Sequence, residues 1–313
     1  MKKKLIVIAG PTAVGKTASS VELAKNINGE IISIDSMQLY KEMNIGTAKV
    51  TEEEMQGIKH YMVDEVNPDD EVNVVMFKDK VKAYIDEIHS KGKVPILVGG
   101  TGFYIQAIIY DIDFKNEEEG NQEIRDKYFE LANEKGNEYV HSLLEDIDKE
   151  SYDKLHPNNI RRVIRALEYY DIHNAPISEH NREQEESKES PYDLTFFVLT
   201  CKDRDLLYDR INMRVDIMFD MGLLKEVEKL NKKYNKNLNS MQGIGYKEVI
   251  DYIEGNVSYE RMIEVLKQNT RKFAKRQLTW FRREKNVIWI EVDELEFKLD
   301  DIIAKMLQIY GGN

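Results

Sequence analysis

The chain has 313 residues, enough for one large domain or two with an ample core. Hydrophobic residues make up 42% and charged residues 33%, the balance of a soluble globular protein, and no apolar run approaches a membrane span. Its single cysteine, Cys201, excludes an internal disulfide and a cysteine-based zinc site, and the net charge of −12, taken alone, argues against nucleic acid.

Residues 1–4 are basic, but the apolar run behind them ends at Gly10, too short for a signal peptide, so a cytoplasmic setting is expected. Residues 5–9 read as a buried parallel strand. Directly after them, Gly10-Pro11-Thr12-Ala13-Val14-Gly15-Lys16-Thr17 fits the G-x-x-x-x-G-K-[ST] phosphate-binding loop in full. Glycines let several N–H groups converge on one anion, and the start of the helix at 18–26 adds partial positive charge. Lys16 supplies a mobile charge for a terminal phosphate and Thr17 a hydroxyl for Mg²⁺. A di- or triphosphate ligand is expected.

A second strand, 30–34, leads into Asp35-Ser36-Met37-Gln38. Ligands of doubly wound sheets sit at the carboxyl ends of strands, so Asp35 shares a crevice with the loop. A carboxylate there takes a proton or holds a metal; capping the next helix is the structural alternative. After a helical segment at 77–90, the third strand, 94–98, ends in Gly99-Gly100-Thr101-Gly102. These glycines suggest close backbone approach to a ligand, with Thr101 within reach of a phosphate oxygen or a base; a tight turn capped by Thr101 is equally compatible. Strands alternating with helices predict an α/β fold, a parallel sheet covered on both faces.

Residues 116–187 show helical pattern without strand signal and read as a helical insertion, leaving 1–115 and 188–313 as the core domain. From 116 to 150 there are 12 acidic and 4 basic residues. The segment 156–165 is locally basic: Arg161 and Arg165 are i, i+4 neighbours with Arg162 beside them, suited to RNA phosphates or to a solvated helix face. Residues 179–191 are polar and read as a loop. A fourth strand, 194–200, precedes Cys201, expected as a buried packing residue. Helices follow at 204–219 and 223–233; on the first, Arg210 and Arg214 share a face, where one arginine clamps a diphosphate or both pair with Asp209 or Asp216.

A long helix is predicted over 259–282, and a fifth strand over 287–292. From 265 to 283 there are seven basic residues and no acidic ones. Lys267, Arg271, Lys275 and Arg282 recur at near four-residue spacing, with Lys272, Arg276 and Arg283 beside them and Leu266, Phe273, Trp280 and Phe281 on the apolar side. Such a face points to nucleic acid despite the net negative charge.

Together these segments resemble the bacterial tRNA dimethylallyltransferases, also called tRNA isopentenyltransferases. The resemblance rests on the phosphate loop, Asp35-Ser36-Met37-Gln38-x-Tyr40, Ile45-Gly46-Thr47-Ala48-Lys49, His60-x-x-x-Asp64 and Val98-Gly99-Gly100-Thr101-Gly102-x-Tyr104. It continues through His156-Pro157-Asn158, Arg165-Ala166-Leu167-Glu168, Arg210 with Arg214, Gly243-Ile244-Gly245-Tyr246-Lys247-Glu248, and Thr270-Arg271 with Ala274-Lys275-Arg276-Gln277-x-Thr279-Trp280. The resemblance is weakest over 116–151, where no motif matches.

The resemblance implies transfer of a dimethylallyl group from dimethylallyl diphosphate to N6 of the adenosine 3′ of the anticodon (position 37), with Mg²⁺ and without ATP. It implies Asp35 as general base, with Thr101 and Arg210 as catalytic partners and Gly10 to Thr17 on the diphosphate. Ser36, Met37 and Gln38 would hold the adenine with Asp35 and Thr101. Arg161, Arg162, Arg165, Lys275 and Arg276 would grip the anticodon stem-loop, and the insertion would clasp the loop. A monomer without membrane attachment is expected. The alternatives are a phosphate-loop kinase, for which no arginine-rich lid is evident after the third strand, a transferase of free adenine nucleotides, and a non-catalytic RNA-binding nucleotide sensor.

Overall fold

The computed structural model describes residues 2–112, 114, 121–186 and 189–312. It divides the chain into two compact units, Met1–Ile109 with Ser190–Asn313, and Tyr110–Glu189. The boundaries expected from sequence, at 115/116 and 187/188, fall outside the described residues.

The first unit is built on a parallel six-stranded sheet in the order β3-β2-β4-β1-β5-β6. The strands are β1 (Lys3–Ala9), β2 (Gly29–Ser33), β3 (His60–Tyr61), β4 (Val94–Gly99), β5 (Tyr192–Thr200) and β6 (Ile288–Glu291). β1 is buried from Leu5 to Ala9 because it is central: Ile8 pairs with Val98 of β4 on one side and Phe197 of β5 on the other. Five strands match those read from sequence. The sixth, β3, is two residues at the edge, held by register with Ile31 and Ile32 of β2. A run that short carries no periodicity of its own.

The helices of this unit are α1 (Lys16–Ile27), α2 (Glu52–Met55), α3 (Val74–Ser90), α4 (Gly102–Ile109), α10 (Arg204–Asp220), α11 (Leu223–Lys233), α12 (Tyr246–Ile253), α13 (Tyr259–Phe281) and α14 (Leu299–Gly311). One core joins the sheet to α1 and α14, with Ile6, Ile8, Val21 and Leu23 against Ile302 and Met306. Cys201 is buried in this core, as expected. A second core joins α10 to α13 around Tyr246, Met262 and Leu266.

The loop after β2 is pinned to this second core. Glu226 of α11 accepts backbone N–H bonds from Asn44, Ile45 and Gly46 at 3.0, 2.8 and 3.0 Å, and the Tyr246 hydroxyl donates to it at 2.8 Å. Gly46 has to be glycine, since a Cβ would come within 2.5 Å of the Tyr246 ring. Lys49, buried, donates to Tyr40 O, Asn44 Oδ1 and Asp64 Oδ1 at 2.6, 2.9 and 2.5 Å. The segments 45–49, 60–64 and 243–248 thus meet as scaffold beneath the loop that carries Asp35.

The second unit holds α5 (Gln122–Lys135), α6 (Asn137–Ser142), α7 (Lys149–Lys154), α8 (Ile160–His173) and α9 (Ile177–Glu186) around Tyr128, Val140, Val163, Ile164 and Leu167. Its buried Glu168 is satisfied by the Asn121 N–H at 2.8 Å, Arg125 Nε at 2.7 Å and Arg165 at 3.0 Å. Helix α9 corrects the loop expected over 179–191. The segment is polar, but tertiary contacts hold it helical: Ser178 N–H donates to Asp148 at 3.1 Å, Arg182 to Glu150 at 2.6 Å, and His180 lies 5.6 Å from the Tyr169 ring.

Candidate active site

Within the first unit, a cavity of about 770 Å³ opens where β1, β2 and β4 end. The phosphate loop forms its floor. Gly10, at φ +144°, passes so close to β5 that a Cβ would come within 2.3 Å of Leu199 O. Gly15, at φ +89°, turns the chain into α1, and no side chain caps that helix. The first-turn N–H groups are therefore left for an anion. Lys16 Nζ donates to Gly10 O at 3.0 Å and Pro11 O at 2.7 Å. Arg210 holds the loop from α10, its Nε donating to Ala13 O at 2.9 Å and its guanidinium 4.0 Å above the Phe297 ring.

Asp35, Thr101, Lys16 and Thr17 line the same cavity, as does Arg214. Burial lowers the Lys16 ammonium to about 7, and the Arg214 charge pushes the same way, against the opposing field of Asp35. Burial raises the Asp35 carboxyl above its ordinary value, opposed by the Met37 N–H bond at 3.0 Å and by the Lys16 and Arg214 charges. That bond makes a local Asx-type turn instead of a helix cap. A carboxylate with raised proton affinity beside two cations and an anion-binding loop is equipped to accept a proton where a diphosphate departs. Arg214 reaches this cavity from the same face of α10 as Arg210, four residues away.

The glycine turn after β4 lines the cavity with Gly99, Gly100 and Thr101, and it is also tightly packed from behind. Each glycine admits a protein neighbour: a Cβ on Gly99 would come within 2.7 Å of Ile34 O, on Gly100 within 1.9 Å of Gln277 Nε2, and on Gly102 within 2.1 Å of the Trp280 ring. Buried Gln277 ties the turn to the phosphate loop, its Nε2 donating to Gly100 O at 3.0 Å and its Oε1 accepting Thr12 N–H at 3.3 Å. Gln277→Leu leaves both backbone groups unpaired, and we expect it to lower stability by about 1–3 kcal/mol in urea unfolding. An unshifted midpoint would mean that the two bonds contribute nothing.

The other site residues sort as follows. Ser36, Met37 and Gln38 line the cavity. Gln38 is already engaged, accepting from Ser33 Oγ at 2.9 Å and donating to Ala48 O at 3.2 Å, and Met37 packs against Gly243. On α13 the basic face differs from the expected stripe. Lys267 pairs with Asp216 at 2.6 Å and Arg271 donates to Asn212 at 2.5 Å, both tying α13 to α10. Of the seven basic residues over 265–283, Lys272, Lys275, Arg276, Arg282 and Arg283 are exposed, and Arg276 reaches the cavity lining. In the second unit Arg161 and Arg162 are exposed on α8, whereas Arg165 is held by Glu168. Among the described residues no three His, Cys, Asp or Glu side chains gather as a metal site, and no helix is long and apolar enough to cross a membrane.

A parallel α/β sheet with an intact phosphate loop after β1, and a carboxylate after β2 in the same cavity, define a phosphate-loop enzyme. The chain belongs to the IPP transferase family, whose profile matches residues 38–284. It is 53% identical over 307 residues to the tRNA dimethylallyltransferase of Lachnoclostridium phytofermentans, covering 97% of this chain and 96% of that one. The tRNA dimethylallyltransferase of Acetivibrio thermocellus is 52% identical over 308 residues, covering 98% and 96%. Among solved structures, the full-length tRNA isopentenylpyrophosphate transferase of Bacillus halodurans superposes with a TM-score of 0.74 at 43% identity, covering 99% of this chain and 96% of that one. A eukaryotic dimethylallyltransferase, described as acting on tRNA, superposes with a TM-score of 0.79 at 32% identity, covering 92% and 74%.

Proposed function

We propose that this protein transfers the dimethylallyl group of dimethylallyl diphosphate to N6 of the adenosine 3′ of the anticodon, position 37, in tRNA. The observation that carries the reading is one cavity holding Asp35, Lys16 and Arg214 above the phosphate loop. An exocyclic adenine amine is a poor nucleophile, its lone pair being delocalised into the ring. As the N6–carbon bond forms and the carbon–oxygen bond to diphosphate breaks, Asp35 takes the N6 proton. Lys16, the loop amides and the arginines stabilise the charge that develops on the leaving diphosphate. Thr101 orients the reacting groups.

Mg²⁺ fits the residues present. A hard cation needing few protein ligands suits the Thr17 hydroxyl with substrate phosphates, and no larger acidic cluster is required. When bound, it adds charge stabilisation to the leaving group. The exposed cations of α13, with Arg161 and Arg162 of α8, serve RNA phosphates. The protein acts as a cytoplasmic monomer.

The donor test compares thermal stabilisation by dimethylallyl diphosphate with that by ATP, each with Mg²⁺. At a hundred-fold excess over its dissociation constant, a ligand stabilises by about 2.7 kcal/mol. We expect this for dimethylallyl diphosphate. Stabilisation by ATP alone would favour the kinase or sensor reading.

A further inference from the structure

Helix α10 exposes Met213 and Ile217 at i and i+4, 60% and 48% accessible, and Met221 at its C-cap, 61% accessible, continues the row. A row of this kind on an otherwise polar surface marks a contact site. Its place narrows the partner. Met213 and Ile217 belong to the lining of the cavity that holds Asp35, together with Phe273 and Arg276 of α13. The Lys267–Asp216 and Arg271–Asn212 contacts fix α10 beside α13; of the exposed cations there, Arg276 shares the cavity lining with Met213 and Ile217, whereas Lys275 lies with Arg204 and Tyr208 toward the other end of α10. Apolar side chains beside an exposed arginine at the mouth of a cavity suit unstacked nucleic acid, the cation meeting a phosphate and the apolar groups meeting base faces.

We propose that Met213 and Ile217 form a platform for the bases that flank the target adenosine in the RNA loop. This rests on the proposed function. An adenosine that enters the cavity leaves its stack and strips one face from each neighbouring base. Those faces emerge at the mouth, where a flexible thioether and a branched aliphatic side chain replace the lost stacking. The platform is sequence-tolerant, because every base has a flat face, and it acts on RNA affinity without touching the diphosphate.

The test is a double-mutant cycle with an anticodon stem-loop RNA and the full-length protein. Met213→Ser/Ile217→Ser is paired with abasic residues on both sides of the target adenosine. The exposed positions make the variant safe for folding, and an unchanged unfolding midpoint verifies this. The variant is expected to bind intact stem-loop about ten-fold more weakly than the parent, with the salt dependence unaltered. The abasic RNA should bind parent and variant equally. Lys275→Ala/Arg276→Ala, by contrast, should flatten the salt slope by up to about two charges. Equal binding of intact RNA by parent and variant, or the same loss on abasic RNA, overturns the platform. So does a concentration-dependent dimer of the parent that the variant abolishes, which would assign the row to a second copy of the chain. Dimethylallyl transfer by the parent, followed in the same samples, separates failure of the platform from failure of the functional reading.

Discussion

Asp35→Asn is expected to slow single-turnover transfer about 10²–10⁴-fold, the usual contribution of a general base. The amide keeps the size of the side chain and its bond from the Met37 N–H, but it removes the basicity. Donor and RNA affinities should stay within a few-fold of the parent. The competing role, a direct or water-mediated Mg²⁺ ligand, makes a different forecast: weaker donor binding and recovery of rate at high Mg²⁺. Rescue by metal would remove the base assignment while leaving the transferase assignment standing. The pH profile adds a second check. The base acts ionised, so kcat/KM rises with pH through the Asp35 carboxyl, which burial places above the ordinary carboxylate range. Asp35→Asn should erase that rising limb.

Lys16→Ala is expected to weaken dimethylallyl diphosphate binding and transfer by about 10²–10³-fold, the scale of losing one preorganised partner of a developing anion. RNA affinity should remain near that of the parent. The free enzyme's Lys16 sits at about 7, lowered first by burial and then by Arg214. A bound diphosphate favours the charged amine and raises it. Above pH 7, donor binding must therefore take up a proton, and kcat/KM should fall by up to about ten-fold per pH unit. With Asp35 setting the rising limb and Lys16 the falling one, the profile is bell-shaped. Lys16→Ala flattens only the alkaline side. If ATP hydrolysis were the activity lost in this variant, the kinase or sensor reading would gain.

Local chemistry was legible in the sequence, and long-range packing was not. The phosphate loop announces itself because its function constrains consecutive residues: two glycines with positive φ, a lysine and a hydroxyl in fixed order. The long strands show as apolar runs because helices cover both faces of a parallel sheet. β3 escaped because its two residues owe their conformation to β2. The glycines after β4 were visible, but their reason was not: Gln277 and Trp280, far along the chain, fill the space that side chains would need. The basic stripe on α13 was read as uniform, yet Asp216 and Asn212 of another helix neutralise or engage part of it. Glu226 gave no signal at all, although it accepts three N–H bonds from the loop after β2. Sequence spacing marks residues that work together within one element, whereas the partners of such a loop are chosen by topology.

The central claim is tested most directly by the mass of unmodified tRNA after incubation with the protein, Mg²⁺ and dimethylallyl diphosphate. The account predicts a gain of one dimethylallyl group, mapped to the adenosine 3′ of the anticodon, with one diphosphate released per transfer and no requirement for ATP. RNA of unchanged mass in the presence of a folded protein that binds the donor would contradict it, as would a phosphoryl group transferred from ATP.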